Sequence, residues 1–310
     1  MSSVATPAPV PRRGRRRRTK LQRRQTRLGW LLLLPALAVV AFVALYPLGK
    51  TVYQSFTNQE FLAGLTPTKW VGLHNYRTLF HDTIFRDTIV LTIKFTAITV
   101  SFEFVLGLII ALVVNSKFKG RGVMRAVMLV PWAIPTVVAA KMWQWMLDDT
   151  YGVVNDLGVR THILSHSHAW IADRSTQLAA VSAVDIWKTT PFVALLLLAG
   201  LQVIPNDLYE AASVDGANKL QQFWRITLPL LRPAILVTLI FRTLDALRVF
   251  DVFSVFFGNR LGAQSMAIYD QGTIVQDGHV GYGAAVSVAI FLIISLFVVV
   301  YVTFVRVTEE

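Results

Sequence analysis

Apolar residues fall into six long blocks separated by shorter polar segments: Trp30–Lys50, Asp87–Val114, Val123–Leu147, Gln177–Val203, Leu231–Phe257 and Gly281–Val305. Each supplies about 20 residues or more, and a helix of that length crosses the ~30 Å hydrocarbon core of a bilayer. A chain inside hydrocarbon has no water to pair with its backbone, so blocks of this length predict helices that satisfy their own N–H and C=O groups. The expected fold class is therefore an all-α integral membrane protein with six transmembrane helices. Trp30 and Tyr46 sit near the ends of the first block, as interfacial aromatic residues do, and its Pro35 and Pro47 are tolerable in a membrane helix. Pro131 and Pro135 predict a kink in the third block. The sixth begins with the small residues of GYGAA, which permit close helix packing.

Composition agrees with the pattern. Of 310 residues 54% are hydrophobic and only 15% charged, against about 25% charged in soluble domains. The net charge of +12 matters mainly for its placement: ten basic residues and no acid lie between Arg12 and Arg27, directly before the first block. Such a bias holds that end in the cytoplasm, and the basic connection Asn115–Gly122 returns there two blocks later. Residues 51–86, 148–176 and 258–280 are then external, 204–230 are internal, and both termini are cytoplasmic in a multi-pass protein of the cell membrane. Residues 1–27 are expected to form a disordered basic tail that meets anionic membrane lipid, and residues 28–310 the membrane domain. No aromatic residue interleaves the basic run, which speaks against nucleic acid as its partner. The first block is long enough to span, and no small-residue cleavage site follows it, so it is not expected to be a cleaved signal peptide. The absence of cysteine excludes disulfides and thiolate metal sites.

The polar stretch EAASVDGANKLQQFWRITLP, Glu210–Pro229, lies between blocks four and five. Glu210, Ala211 and Ala212 read as helix, and Asp215-Gly216 as a turn, because glycine takes positive φ without steric cost. A second helical run, Ala217–Arg225, should end at Ile226-Thr227-Leu228-Pro229, since proline disfavours helix in the residue before it. The order Glu-Ala-Ala, three residues, Gly, nine residues, Ile, one residue, Leu-Pro resembles the cytoplasmic coupling loop of membrane subunits of binding-protein-dependent ABC importers. Gly72, Leu73, Asn75 and Tyr76, in WVGLHNYRTLF, are similar to the GL-x-NY stretch of sugar-importer permeases in that superfamily. The maltose-type carbohydrate-uptake family is thus implied, with disaccharide systems such as trehalose importers nearest.

The resemblance implies a helix-turn-helix coupling loop over residues 204–230. Glu210, Ala211, Ala212, Asp215, Gly216, Ile226, Leu228 and Pro229 would meet a separate ATPase subunit. It further implies a second permease subunit in a heterodimer, an ATP-binding cassette ATPase dimer, an external substrate-binding protein and a sugar substrate, a disaccharide such as trehalose or maltose. ATP and Mg would belong to the ATPase, and no cofactor to this chain. Residues 257–265, FGNRLGAQS, depart from the T-x-GGP stretch of many relatives, so docking details are not carried over there. Alternatives are a permease of the same architecture for glycerol phosphate, polyamine or oligopeptide, and a stand-alone secondary transporter, against which the coupling loop speaks.

No G-x-x-x-x-G-K-[ST] pattern occurs, so the chain is not expected to be an enzyme. His162, His166 and His168 lack the helical carboxylate partner of a metal site and read as a solvated loop, and His74 reads as a loop residue. Charges inside the blocks are more informative. Asp185 and Lys188 lie in block four, and Arg242, Asp245, Arg248 and Asp251 recur every third residue with alternating sign in block five. They can pair along their own helices, in which case exchanging Arg242 and Asp245 would preserve assembly. Alternatively they line an aqueous route with Trp187 and Phe250, supplying the aromatic faces and hydrogen-bonding groups that a sugar requires.

Overall fold

The computed structural model describes residues 20–61, 67–116 and 118–309. Its helices follow the apolar blocks, and each departure has a local cause. The chain forms α1 (Lys20–Val40), a π-helical turn (Ala41–Leu45), α2 (Tyr46–Gln54), α3 (His74–His81) and α4 (Thr83–Asn115). Next come α5 (Arg121–Met128), α6 (Val130–Ala133), α7 (Thr136–Met146), α8 (Val153–Arg160), α9 (Gln177–Gln202), α10 (Asn206–Val214) and α11 (Lys219–Gln222). A second π-helical turn (Phe223–Thr227) leads into α12 (Leu228–Leu247), followed by α13 (Asp251–Phe257), α14 (Met266–Gln271), a third π-helical turn (Gly272–Gln276) and α15 (Val280–Glu309). Among the described residues five helical stretches are long and apolar enough to cross a membrane, and six if the bent pair around Pro135 is one span.

That bend is 87°, between Arg121–Ala133 and Thr136–Met146. Ile134 ahead of Pro135 is extended, the conformation proline imposes on its predecessor. The expected kink is thus a break. Three other expectations are corrected. Residues 20–27 are helical rather than disordered, because Lys, Arg, Gln and Leu are good helix formers continuous with a span that already supplies the nucleus; residues 1–19 lie outside the described residues. Helix also does not stop before Pro229, which sits in the first turn of α12, where its missing N–H is tolerated after the wider π turn. His74 opens a helix rather than lying in a loop.

Contacts divide the chain into two units, Met1–Thr51 and Val52–Glu310. In the second unit α4 packs along α9, and α12 packs on both. The buried face of α4 carries small and threonine residues, Thr88, Thr92, Thr96, Thr99, Gly107 and Ala111, at helical spacing. A Cβ on Gly107 would stand 2.6 Å from Val193 Cγ1, so glycine there sets how closely α4 and α9 approach. Phe95 meets Phe253 edge to face in the cluster that joins α4, α9 and α13.

Polar residues fasten the segments that precede α3, α4 and α15. Asn75 Nδ2 donates to the Ser55 and Thr57 carbonyls at 2.9 and 2.8 Å, and Tyr76 OH meets Ser55 Oγ at 2.6 Å, so the GL-x-NY stretch clamps the segment before it. Gly281 N–H donates to the Gln59 carbonyl at 2.7 Å, and a Cβ on Gly281 would overlap the Thr57 carbonyl. Asp82 caps α4 with Oδ1, accepting from Ile84 and Phe85 N–H, while its Oδ2 accepts from the hydroxyls of Tyr269 and Tyr282. Burial pushes its pKa upward, but the hydrogen bonds from the tyrosines and the backbone prevail and hold it below the ordinary aspartate value.

Candidate functional site

Two polar constructions stand out. The first is the hairpin of α10 and α11. Gly216 at φ +82° makes the turn, with Ala217 N–H reaching back to the Ala212 carbonyl at 2.8 Å to close the end of α10. Asn218 and Gln221 then form a reciprocal capping box that starts α11. The buried Gln222 welds the two arms: its Nε2 donates to Ser213 Oγ at 2.9 Å and to the Ala217 carbonyl at 3.1 Å. Tyr209 OH meets Thr227 Oγ1 at 3.0 Å across the base. Outside, the hairpin presents Val214, Leu220 and Trp224, with 88%, 67% and 59% of their surface exposed, beside the exposed Glu210, Ala211 and Asp215. Ile226, Leu228 and Pro229 are half-buried at its root. A rigid element ending in apolar side chains is a docking shape, since such patches mark interaction sites.

The second lies where α4, α9 and α12 meet. Arg242 is the hub. Its Nε and Nη2 donate to the two oxygens of Glu103 at 2.6 and 2.8 Å, its Nη2 also to Asp185 Oδ2 at 3.1 Å, and its Nη1 to Asp245 Oδ2 at 2.6 Å. One guanidinium thus holds three carboxylates from three helices. Arg242 and Glu103 are buried, whereas Asp245 is 68% exposed. These contacts correct the picture of a ladder of local ion pairs. Of the charges singled out in blocks four and five, Arg242 and Asp245 alone pair along one helix among the described residues; Lys188, Arg248 and Asp251 have no ion-pair partner there, and Arg248 Nε donates to the Leu244 carbonyl. Geometry explains this, because α12 ends at Leu247 and residues 248–250 leave the helix, so the three-residue spacing no longer stacks the side chains.

Around the hub opens a cavity of about 180 Å³. Seven residues singled out from the sequence line it: Asp185, Lys188, Arg242, Asp245, Arg248, Phe250 and Asp251. Trp187 does not; its ring packs edge to face on Trp143 at 5.4 Å. In its place the bend of the third span brings Trp132 to the wall, stacked on Phe192 at 5.6 Å. Trp132 and the buried Glu103 were missed by the sequence reading. Glu103 was legible as a lone acid in an apolar block, but no spacing rule ties it to Arg242, 139 residues away. The wall offers carboxylate acceptors, cationic donors and a flat aromatic face to a polyhydroxylated ligand. No group of metal-binding side chains occurs among the described residues.

The model of the family described as binding-protein-dependent transport system inner membrane components matches residues 103–309. The chain belongs to that family. Glu103, the hub, the cavity and the hairpin all fall within the match. This inner membrane component is 40% identical over 285 residues to the trehalose/maltose transport system permease protein MalF of Thermococcus litoralis, covering 91% of this chain and 95% of that one. It is 39% identical over 278 residues to the sulfoquinovosyl glycerol transport system permease protein SmoG of Agrobacterium fabrum, covering 89% of each. A crystal structure of a bacterial ABC transporter that imports the acidic polysaccharide alginate contains a chain with the same fold, at TM-score 0.79 and 24% identity, covering 94% of this chain and all of that one. The chain is therefore a membrane-spanning permease component of a binding-protein-dependent transport system.

Proposed function

We propose that the chain forms one half of the path of an ATP-driven importer for a sugar, a disaccharide such as trehalose or maltose, delivered by an external binding protein. The observation that carries this reading is the Arg242 cavity, where the Asp185 and Asp245 carboxylates, the cations Lys188 and Arg248 and the faces of Trp132 and Phe250 surround one space. Sugars need that mixture of acceptors, donors and a planar apolar wall. Identity to the Thermococcus litoralis trehalose/maltose permease protein supports the substrate. The cavity is small for a disaccharide, which fits a path completed by a second permease subunit. ATP and Mg belong to an ATPase dimer held by the α10–α11 hairpin, through Glu210, Ala211, Ala212, Asp215, Gly216, Ile226, Leu228 and Pro229. Closure of this ATPase, transmitted through the hairpin, and not chemistry in this chain, moves the sugar. The chemistry of the N-terminal basic run favours anionic lipid, and both termini lie in the cytoplasm.

Cells lacking other disaccharide uptake, supplied with the complete system, should accumulate labelled trehalose or maltose; failure to take up either sinks the substrate assignment. Lys188 and Arg248, which have no carboxylate partner among the described residues, favour one second reading, an anionic glycoside. In that case unlabelled sulfoquinovosyl glycerol should compete and trehalose should not. For orientation, a single cysteine at Ser116 should resist an impermeant thiol reagent applied from outside, and one at Ser167 should react; the opposite pattern reverses the topology.

A further inference from the structure

We propose that Glu103 is a positioning residue of the sugar site: although it never meets the cavity, it fixes the guanidinium of Arg242 and through it the acceptor carboxylate of Asp245. The inference rests on the reading of the cavity given above. Three observations carry it. Glu103 has no exposed surface, and both of its oxygens are engaged by Arg242, at Nε and at Nη2. This fork sets the plane of the guanidinium, which a single contact would leave free to turn about its long side chain. The remaining edge, Nη1, then aims at Asp245 Oδ2 at 2.6 Å. Asp245 lines the cavity and is 68% exposed, and its Oδ1 has no hydrogen-bond partner among the described residues. Burial thus falls stepwise along the relay, from Glu103 on α4 through Arg242 to Asp245 on α12.

The arrangement answers a problem of the site itself. An aspartate at the open end of α12, one residue triplet from a break in the helix, would otherwise sample several rotamers before meeting a sugar hydroxyl, and ordering it would weaken binding. Held by Arg242, it presents Oδ1 in one direction. The Glu103 fork also keeps Arg242 from turning wholly toward Asp185, which already shares its Nη2 at 3.1 Å. Because α4 packs along α9 and α12 packs on both, the relay ties the acceptor to the rigid part of the bundle.

A role in neutralising charge alone makes different predictions from a role in positioning. Glu103→Gln keeps the volume but sets an amide N–H against a guanidinium N–H, so the fork cannot form. Glu103→Asp keeps the charge and withdraws it by one methylene. Equilibrium binding of labelled trehalose, with maltose in parallel, is measured on the purified complex of both permeases and the ATPase, alongside the yield of assembled complex. The expected result is full assembly with binding weakened about tenfold or more in both variants, the scale of one misplaced hydrogen bond to a charged group. Wild-type binding by Glu103→Gln, or restoration of wild-type binding by Glu103→Asp, overturns the proposal, and so does failure of both variants to assemble, which would make the role structural. Asp245→Asn separates this from the underlying reading: if it also binds as wild type, the cavity is not the sugar site, whereas weak binding by Asp245→Asn with normal binding by Glu103→Gln removes only the role of Glu103.

Discussion

Exchanging the two charges of α12, Arg242→Asp with Asp245→Arg, should weaken assembly even though it conserves net charge and local spacing. In the native structure Arg242 donates four hydrogen bonds of 2.6, 2.6, 2.8 and 3.1 Å to Glu103, Asp185 and Asp245. The exchange leaves Glu103, which has no contact with solvent, and Asp185 beside a further carboxylate. The arginine displaced to position 245 cannot substitute. It lies three residues and about 4.5 Å farther along the helix, at a position facing the cavity. Removing one partner of a buried pair destabilises by about 3–5 kcal/mol, a factor of roughly 10²–10³ or more in the equilibrium. With about 2–4 °C lost per kcal/mol for a domain of this size, the thermal midpoint of the extracted protein should fall by about 6–20 °C. The assay is the yield and midpoint of the complex after detergent extraction, with Arg248→Asp and Asp251→Arg exchanged together as control. Those two have no ion pairs, so their exchange should assemble normally. Wild-type yield and midpoint for the exchange at positions 242 and 245 would refute the hub and restore a ladder of local pairs.

Three further outcomes follow from other contacts. Gln222→Leu removes the donors to Ser213 Oγ and the Ala217 carbonyl from a buried position, so it should loosen the hairpin by about 1–3 kcal/mol and reduce co-purification of the ATPase while insertion is unchanged; undiminished capture would contradict the weld. Gly281→Ala forces a Cβ into the Thr57 carbonyl, so protease sensitivity at residues 55–60 should rise, and an unaltered cleavage pattern would count against the clamp. Asp270, on α14, is pushed up to about 6 by burial, partly offset by the hydrogen bond from Ser287. Its folded state therefore holds a proton the unfolded chain has released. That contribution is complete below about pH 4 and lost as pH rises through 6, about 3 kcal/mol in all. Asp270→Asn should flatten the pH profile of the thermal midpoint over that window and raise the midpoint at pH 7; an unchanged profile would exclude the group.

How much of this could be read from the chain differs between elements. Helix limits were legible wherever the apolar run was bounded by polar residues: block four, set at 177–203, is the helix Gln177–Gln202. The turn at Gly216 was legible because its φ of +82° is one that glycine alone adopts readily. Pro229 misled, since the preference of a residue before proline is local, and the π turn at 223–227 let the helix run through. The cavity residues were visible as charges out of place in hydrocarbon, and seven of eight line one space. Their partners were not visible. Periodicity reports neighbours on one helix, whereas the bonds that organise Arg242 come from α4 and α9, and Trp132 arrives through an 87° bend whose direction no sequence pattern specifies. Trp187 failed for the same reason: the helix places it beside Asp185 in sequence but turns its ring toward Trp143.

On the proposed function, sugar import through this permease is driven by an ATPase engaged at the α10–α11 hairpin. Gly216→Pro tests it most directly, because proline cannot adopt φ of +82° and lacks the N–H that bonds the Ser213 carbonyl at 3.1 Å. Accumulation of labelled trehalose is measured in proteoliposomes holding both permeases and the ATPase, with binding protein and ATP supplied, together with the amount of ATPase retained. The expected result is ATP-dependent accumulation by the wild type, and for Gly216→Pro a normally inserted permease that retains little ATPase and accumulates no sugar. Wild-type accumulation and ATPase retention by Gly216→Pro would contradict it.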